Sequence, residues 1–163
     1  MNYKIHIPRW NELPNVDLYL DQVVTLLNTS LSSFLFLNAE KEDNQILTKT
    51  MINNYVKNKL IEAPSKKKYS KNQLAKLFVI CVLKQVYSMV DISQLIHIAL
   101  ESTNIEIAYN SFCNEFEEAL LSTYKKDDFS INTNTADNKY LLKSVLLSCT
   151  YKIYVQNIIN TKK

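Results

Sequence analysis

Glycine is absent from the 163 residues of this sequence, although an average usage of roughly 7% would place about eleven there. P-loops, GxGxxG dinucleotide-binding turns, GxSxG nucleophile elbows and EF-hand loops all depend on glycine. They need a positive φ angle or a close backbone approach, which only glycine supplies at little cost. The sequence therefore excludes these sites and argues against nucleotide-driven enzymology.

Cysteine and histidine are scarce. The three cysteines, Cys81, Cys113 and Cys149, are odd in number and widely spaced, which is typical of reduced thiols rather than a disulfide framework. Neither His6 nor His97 lies at metal-ligand spacing from a cysteine. We therefore expect no metal site and no cofactor, and no feature of the sequence favours an enzyme.

Long apolar runs are also missing. The longest, such as residues 77–83, fall far short of the ~20 residues that span a bilayer, and the N-terminus has no apolar signal core. The sequence predicts a soluble, cytoplasmic protein that does not associate with membranes.

Apolar residues recur at steps of three and four along most of the chain, which predicts a mainly α-helical fold. Candidate N-caps are Asp17, Thr48 or Thr50, and Ser70. The pattern predicts helices over residues 17–35, 48–59, 70–86, from about 91, 104–124 and 139–160. Residues 60–69 predict a small β-hairpin, with two extended pieces around a Pro64-Ser65 turn.

The positive charge is concentrated in one segment. Residues 49–76 contain eight lysines and one acid, Glu62, for a local net charge of +7, whereas the other 135 residues sum to −4. Clustered lysines attract a polyanion through release of its counterions. The alternative is a solvated lysine-rich face, and charge alone does not decide between them.

A short helix with a polar outer face, followed by a basic hairpin and a further helix, predicts a winged helix-turn-helix. The second helix would enter the major groove, where Asn53 and Asn54 suit adenine edges. The hairpin would form a wing whose lysines contact phosphates. Candidate DNA-binding residues are Thr48, Lys49, Thr50, Asn53, Asn54, Lys57, Lys59, Lys66, Lys67, Lys68 and Tyr69.

Two candidates in this set keep alternatives open. Lys57 and Lys59 suit either phosphate or guanine, and Tyr69 either bonds a phosphate or packs the wing onto the core. Arginine, the commonest base-reading residue, is absent after Arg9. We therefore expect modest specificity with an A/T bias, which a symmetric dimer would sharpen.

The stretch LTKTMINNYVKNKLIEAPSKKKYSKNQLAKLFVICVLKQVYSMVDISQLI resembles the DNA-binding segment of MerR-type regulators. Lys68-Tyr69-Ser70 matches the end of that family's wing. Asn53 stands where the family often has arginine, and Lys59 where it usually has glycine. The resemblance implies that Asn58 or Lys59 adopts a left-handed conformation, or that the turn differs.

The chain also resembles, over about residues 5–100, a family of Firmicute bacteria, domain of unknown function 1836. The residues that carry this resemblance are PRWNELPNVDLYLDQVV, the LTKTMINNYVKNKLIEAPSKKKYS block and LKQVYSMVDI. The resemblance implies a MerR-like DNA-binding domain.

The sequence predicts two parts: residues 1–100, a winged helix-turn-helix domain with an N-terminal arm, and residues 101–163, a helical dimerisation or effector module that packs separately or as one unit with the first. We expect Trp10 to anchor the arm, and Glu115, Glu117 and Glu118 to form a solvated face. The predicted function is a homodimeric transcriptional regulator that binds double-stranded DNA, with the effector unknown. The alternative is a helical protein–protein interaction module that keeps the winged-helix shape.

Overall fold

The computed structural model describes residues 5–35, 45–127 and 137–161. The prediction of a mainly helical protein with a small antiparallel sheet is confirmed within these ranges. A turn of 3₁₀ helix at Trp10–Glu12 precedes the first strand. The elements are β1 (Leu18–Tyr19), α1 (Leu20–Leu31), α2 (Lys49–Lys57), β2 (Lys68–Tyr69), α3 (Lys71–Leu83), α4 (Met89–Glu101), α5 (Ile105–Lys125) and α6 (Asp137–Thr161).

Side-chain caps begin α2 and α3 at the predicted residues Thr48 and Ser70, and a further cap begins α5. The Thr48 hydroxyl accepts from the Met51 N–H at 3.2 Å. Ser70 does the same for α3, and the Asn104 side chain accepts from the Ile107 N–H at 2.9 Å. Each contact satisfies a backbone donor that the first helical turn leaves free.

The predicted cap at Asp17 is wrong. Leu18 and Tyr19 pair with β2, so the backbone stays extended until α1 begins at Leu20. The Gln22 side chain then reaches back and accepts from the Tyr19 N–H at 2.9 Å. The strand pairing therefore delays the start of the helix by several residues.

The predicted hairpin, residues 60–69, which we call the wing, turns at Lys66-Lys67. The sequence predicts this turn at Pro64-Ser65 instead. The N–H groups of Ser65 and Lys68 each donate to the other's carbonyl, at 3.0 and 2.8 Å. Lys66 and Lys67 have φ angles of 49° and 66°, as a type I′ turn requires. Proline is held near −65° and cannot occupy these central positions. Strand β2 pairs with β1 in antiparallel orientation, with Leu18 opposite Tyr69.

Helix α3 lies at the centre of the core. Leu74, Leu77, Phe78 and Ile80 are completely buried, so this helix is covered on more than one side. One continuous cluster of buried apolar side chains includes residues from the N-terminal arm, α1, α3, α5 and α6. The wing and α2 are therefore attached to a single packed core.

The N-terminal arm is fastened to α5 by an ion pair. Arg9 donates from Nη1 and Nη2 to the Glu117 carboxylate at 2.6 and 2.8 Å, and this hydrogen bond raises the pKa of the guanidinium. Trp10 packs half-buried on the core, as predicted, and its backbone N–H donates to the Asn110 side-chain oxygen. The prediction that Glu117 belongs to a solvated face is wrong, because it follows buried Cys113 by four residues and so shares the inner side of α5.

Helix α6 packs mainly against α5 through Val145, Leu146 and Cys149. Leu141 and Ile158 are more than one-third exposed. Tyr151, Val155 and Ile159 form an exposed apolar face. No helix within the described ranges combines the length and apolar character that crossing a bilayer demands.

Candidate nucleic-acid interface

The short helix α2 is amphipathic in the predicted sense. Its inner side buries Ile52 and Tyr55, and burial raises the pKa of the Tyr55 hydroxyl to about 12. The outer residues recur at helical spacing and are all exposed: Thr50, Asn53, Asn54, Lys57 and Asn58. The helix therefore presents one continuous polar face to solvent.

The end of α2 is a Schellman motif. The Leu60 N–H donates to the Tyr55 carbonyl at 2.8 Å, and the Lys59 N–H donates to the Val56 carbonyl at 3.0 Å. Lys59 has a φ angle of 58°, the left-handed conformation that glycine usually takes at this position. Of the alternatives the sequence left open, Lys59 is the residue that adopts it, so its side chain leaves the helix end exposed.

Two residues that the sequence did not indicate hold the segment leading into α2. The Asn28 side chain on α1 accepts from the N–H groups of Ile46 and Leu47 and donates to the Leu47 carbonyl at 2.8 Å. The Lys84 ammonium donates to the Ile46 carbonyl, and burial lowers its pKa. These contacts fix the position of α2 relative to the core.

The wing carries Lys66 and Lys67 at its tip, where both are exposed. Lys68 follows on β2, and its ammonium lies 4.9 Å from the centre of the Tyr19 ring, a cation–π contact. The tip lysines therefore extend into solvent, while Lys68 lies along the protein surface.

The junction of β1 and α1 contacts both basic elements. Tyr19 lies beneath Lys68 of the wing, and Asp21, two residues later, forms an ion pair with Lys49 at the start of α2. Because Tyr19 and Asp21 are only two positions apart, the wing and the N-terminus of α2 lie on the same part of the surface. No pattern in the sequence predicts this junction.

Several lysines of the +7 segment already have partners. Lys49 pairs with Asp21, and Lys71 donates to Asn15 at 2.9 Å and lies over the Trp10 ring. Lys76 pairs with Glu62. Partial burial of the Glu62 carboxyl opposes the effect, but the hydrogen bond from Lys76 lowers its pKa.

Four exposed lysines of the +7 segment form no ion pair with any part of the chain that the structure describes. They are Lys57, Lys59, Lys66 and Lys67. We call this set the free lysines.

Tyr69 and Thr48 are engaged within the protein. The Tyr69 side chain is only 2% exposed, and burial raises its pKa. Of its two predicted roles, packing the wing onto the core is the one that the structure supports. The Thr48 hydroxyl caps α2.

The three thiols are buried, and both histidines lie beside carboxylates. Burial raises the pKa of the Cys81 thiol to about 11 and those of Cys113 and Cys149 to about 12. His6 lies 3.1 Å from Glu12 and 3.4 Å from Glu117. Across residues 5–35, 45–127 and 137–161, no group of three histidine, cysteine or acidic side chains is placed to hold a metal ion.

These features define a small, mainly helical protein in which a tight basic β-turn lies beside a short polar helix. The chain belongs to the family described as domain of unknown function (DUF1836), whose model matches residues 8–116. The match includes α1 to α4 and part of α5, with both basic elements, whereas α6 lies beyond it. No curated protein and no solved structure matches the chain.

Proposed function

We propose that this protein binds double-stranded DNA as a winged helix-turn-helix of the MerR type and acts in transcriptional regulation. The observation that carries the proposal is the placement of the four free lysines. Two lie at the C-terminal end of α2 and two at the wing tip, while the N-terminal end of α2 and the wing both contact the β1–α1 junction. Exposed cations without an ion pair, on two neighbouring elements, attract a phosphate backbone more strongly than lysines already held by carboxylates.

The dimensions and chemistry of α2 suit the major groove. A nine-residue helix is roughly 13 Å long, and the groove is roughly 12 Å wide and accepts an α-helix. The Asn53 and Asn54 side chains are exposed and form no hydrogen bond within the described residues, so their carboxamides are available to the N6 and N7 edge of adenine. The Asn58 amide, in contrast, is used at the helix end, where it donates to the Asn54 carbonyl at 2.8 Å.

The wing suits the sugar–phosphate backbone rather than the bases. Lys66 and Lys67 follow each other in a rigid type I′ turn that two reciprocal backbone hydrogen bonds close. Lysine binds phosphate as a point charge and reads no sequence there. The wing would therefore set the register of α2 on the duplex, and Asn53 and Asn54 would supply the A/T preference.

One acidic group lies within the proposed DNA-binding surface. Asp21 is largely exposed and holds Lys49 at the start of α2. A carboxylate here repels phosphate and occupies one cation. The protein therefore binds DNA with less than the charge that its sequence suggests.

The exposed apolar face of α6 favours a homodimer. Tyr151, Val155 and Ile159 are each about half exposed, together with Tyr140 near the start of the helix. Such a face is typical of protein–protein contact. It also favours the alternative function, an interaction module that binds another protein and no DNA.

Fluorescence anisotropy with labelled A/T-rich and G/C-rich 20-base-pair duplexes at 50 mM salt tests the proposal. We expect Asn53→Ala with Asn54→Ala to weaken binding to the A/T-rich duplex about tenfold or more and to change the G/C-rich affinity less. Asn138→Ala, at an exposed asparagine on α6, is the matched control and should bind as the wild type does. No binding of either duplex would contradict the proposal.

A pull-down from cell extract, with and without nuclease, separates the two functions. Recovery of DNA fragments that nuclease abolishes supports DNA binding. A protein partner that survives nuclease, with no DNA recovered, supports the interaction module. Sedimentation at several protein concentrations, with Tyr151→Ser and Val155→Ser as the perturbation, shows whether α6 forms the dimer.

A further inference from the structure

An apolar cavity of about 380 Å³ lies among α3, α4, α5 and the start of α6. Aliphatic and aromatic side chains dominate its wall, among them Val79, Leu83, Leu95, Ile96, Phe112 and Leu142. It does not include any of the free lysines or the polar face of α2. We propose that this cavity is a binding site for a small, neutral, largely apolar molecule.

Three alanines keep the cavity open. Ala75 on α3, Ala99 on α4 and Ala108 on α5 all line it, and each contributes only a methyl group where a larger side chain would fill the space. On α4 the only buried residue is Ile92, although the helix also carries Leu95, Ile96 and Leu100. The apolar side of α4 therefore lines the cavity, and Leu95 and Ile96 also pack partly buried against the core.

The volume of the cavity suits a small molecule. Sites for small molecules span roughly 300–1,000 Å³. At about 380 Å³, the cavity lies near the lower end of this range.

The charges in the wall favour a neutral occupant. Lys76, Glu115 and Lys139 line the cavity, so both signs are present, and Lys76 is already paired with Glu62. A charged ligand would face a repelling group as well as an attracting one. Every helix around the cavity contributes apolar side chains to its wall.

Titration with N-phenyl-1-naphthylamine, a neutral apolar fluorophore, tests the proposal. We expect saturable binding of one dye per chain with increased fluorescence. Ala99→Trp and Ala108→Trp should each weaken binding at least tenfold. Neither alanine is buried, so the larger ring enters the open space rather than the core. Ala63→Trp, at an exposed alanine outside the wall, is the matched control and should bind the dye as the wild type does.

Ala99→Leu and Ala108→Leu should weaken dye binding to an intermediate extent. These variants test the proposal if a tryptophan variant fails to fold. The proposal is overturned if the dye does not saturate or binds with more than one site per chain. It is equally overturned if the filling variants bind as tightly as wild type, or if Tyr151→Ser with Val155→Ser on α6 removes the binding. Because the cavity and the proposed DNA-binding residues do not overlap, failure of either proposal leaves the other standing.

Discussion

Removing the two wing-tip charges should reduce the salt dependence of DNA binding by a definite amount. The perturbation is Lys66→Gln with Lys67→Gln, which keeps side chains of similar length in the turn and removes two of the four free lysines. If each free lysine neutralises one phosphate, the slope of log K against log[salt] is about −3.6 per bound wild-type chain and about −1.8 for the variant.

The same relation gives the loss of affinity. Each phosphate contact multiplies the affinity at 0.1 M salt by roughly eight relative to 1 M, so losing two contacts weakens binding roughly sixtyfold. A symmetric dimer would square this factor, because each protomer presents its own wing. Anisotropy titrations from 50 to 400 mM salt, with circular dichroism to verify folding, measure the slope and the loss together.

Lys125→Gln with Lys126→Gln is the control for net charge and backbone conformation. These two lysines are also adjacent and exposed, and Lys126 also has a positive φ angle, 59°, at the end of α5. The control should retain the wild-type slope, because these residues lie outside the proposed DNA-binding surface. A wing variant with the wild-type slope would refute the reasoning, and so would an equal loss in the control.

Three further predictions follow from single features of the structure. Lys59→Gly should raise the free energy of unfolding by about 1 kcal/mol and Tm by roughly 2–4 °C in calorimetry. The reason is that the left-handed conformation of Lys59 costs an L-residue about 1–2 kcal/mol. A lower Tm would contradict the Schellman assignment. Asp21→Asn should free Lys49 and strengthen DNA binding about two- to tenfold in the same anisotropy assay, with a steeper salt slope; weaker binding would show that the carboxylate is needed to position the lysine. The thiols should not react with Ellman's reagent in the folded protein at pH 8, and rapid labelling without unfolding would contradict the burial of Cys81, Cys113 and Cys149. The pKa values of these thiols in the folded protein lie above the unfolded value of 9.0. The free energy of unfolding should therefore fall as the pH rises from about 9 through 12.

The sequence predicted those features that depend on neighbouring residues. Thr48 and Ser70 are cap residues whose hydrogen bonds reach only three positions along the chain, so the signal is local. The polar face of α2 follows from helical spacing alone. The left-handed Lys59 was foreseeable as one alternative, because the resemblance places glycine there.

The small sheet was harder to place. Each strand is two residues long, and Leu18 pairs with a residue fifty-one positions later, so no alternating pattern marks it. The turn at Lys66-Lys67 lacks the Asn-Gly signal of type I′ turns. Pro64 instead favours a turn at Pro64-Ser65, where the chain does not turn. Asp17 has the right chemistry for a cap, but the pairing of the next two residues excludes it.

The availability of the lysines could not be read from the sequence. Lys71 reaches Asn15, and Lys49 reaches Asp21, across 56 and 28 positions of the chain respectively. Arg9 and Glu117, separated by 108 positions, form their ion pair only when the arm folds onto α5. The local net charge of +7 therefore overstates the number of cations available to a ligand.

The central claim is that α2 and the wing together form the DNA-binding surface. Titrating the ¹⁵N-labelled protein with an A/T-rich duplex and following backbone amide shifts by NMR tests this most directly. The account predicts the largest shifts at residues 49–59 and 65–69, with small changes across α6. Shifts concentrated on α6, or no shifts at low salt, would contradict it.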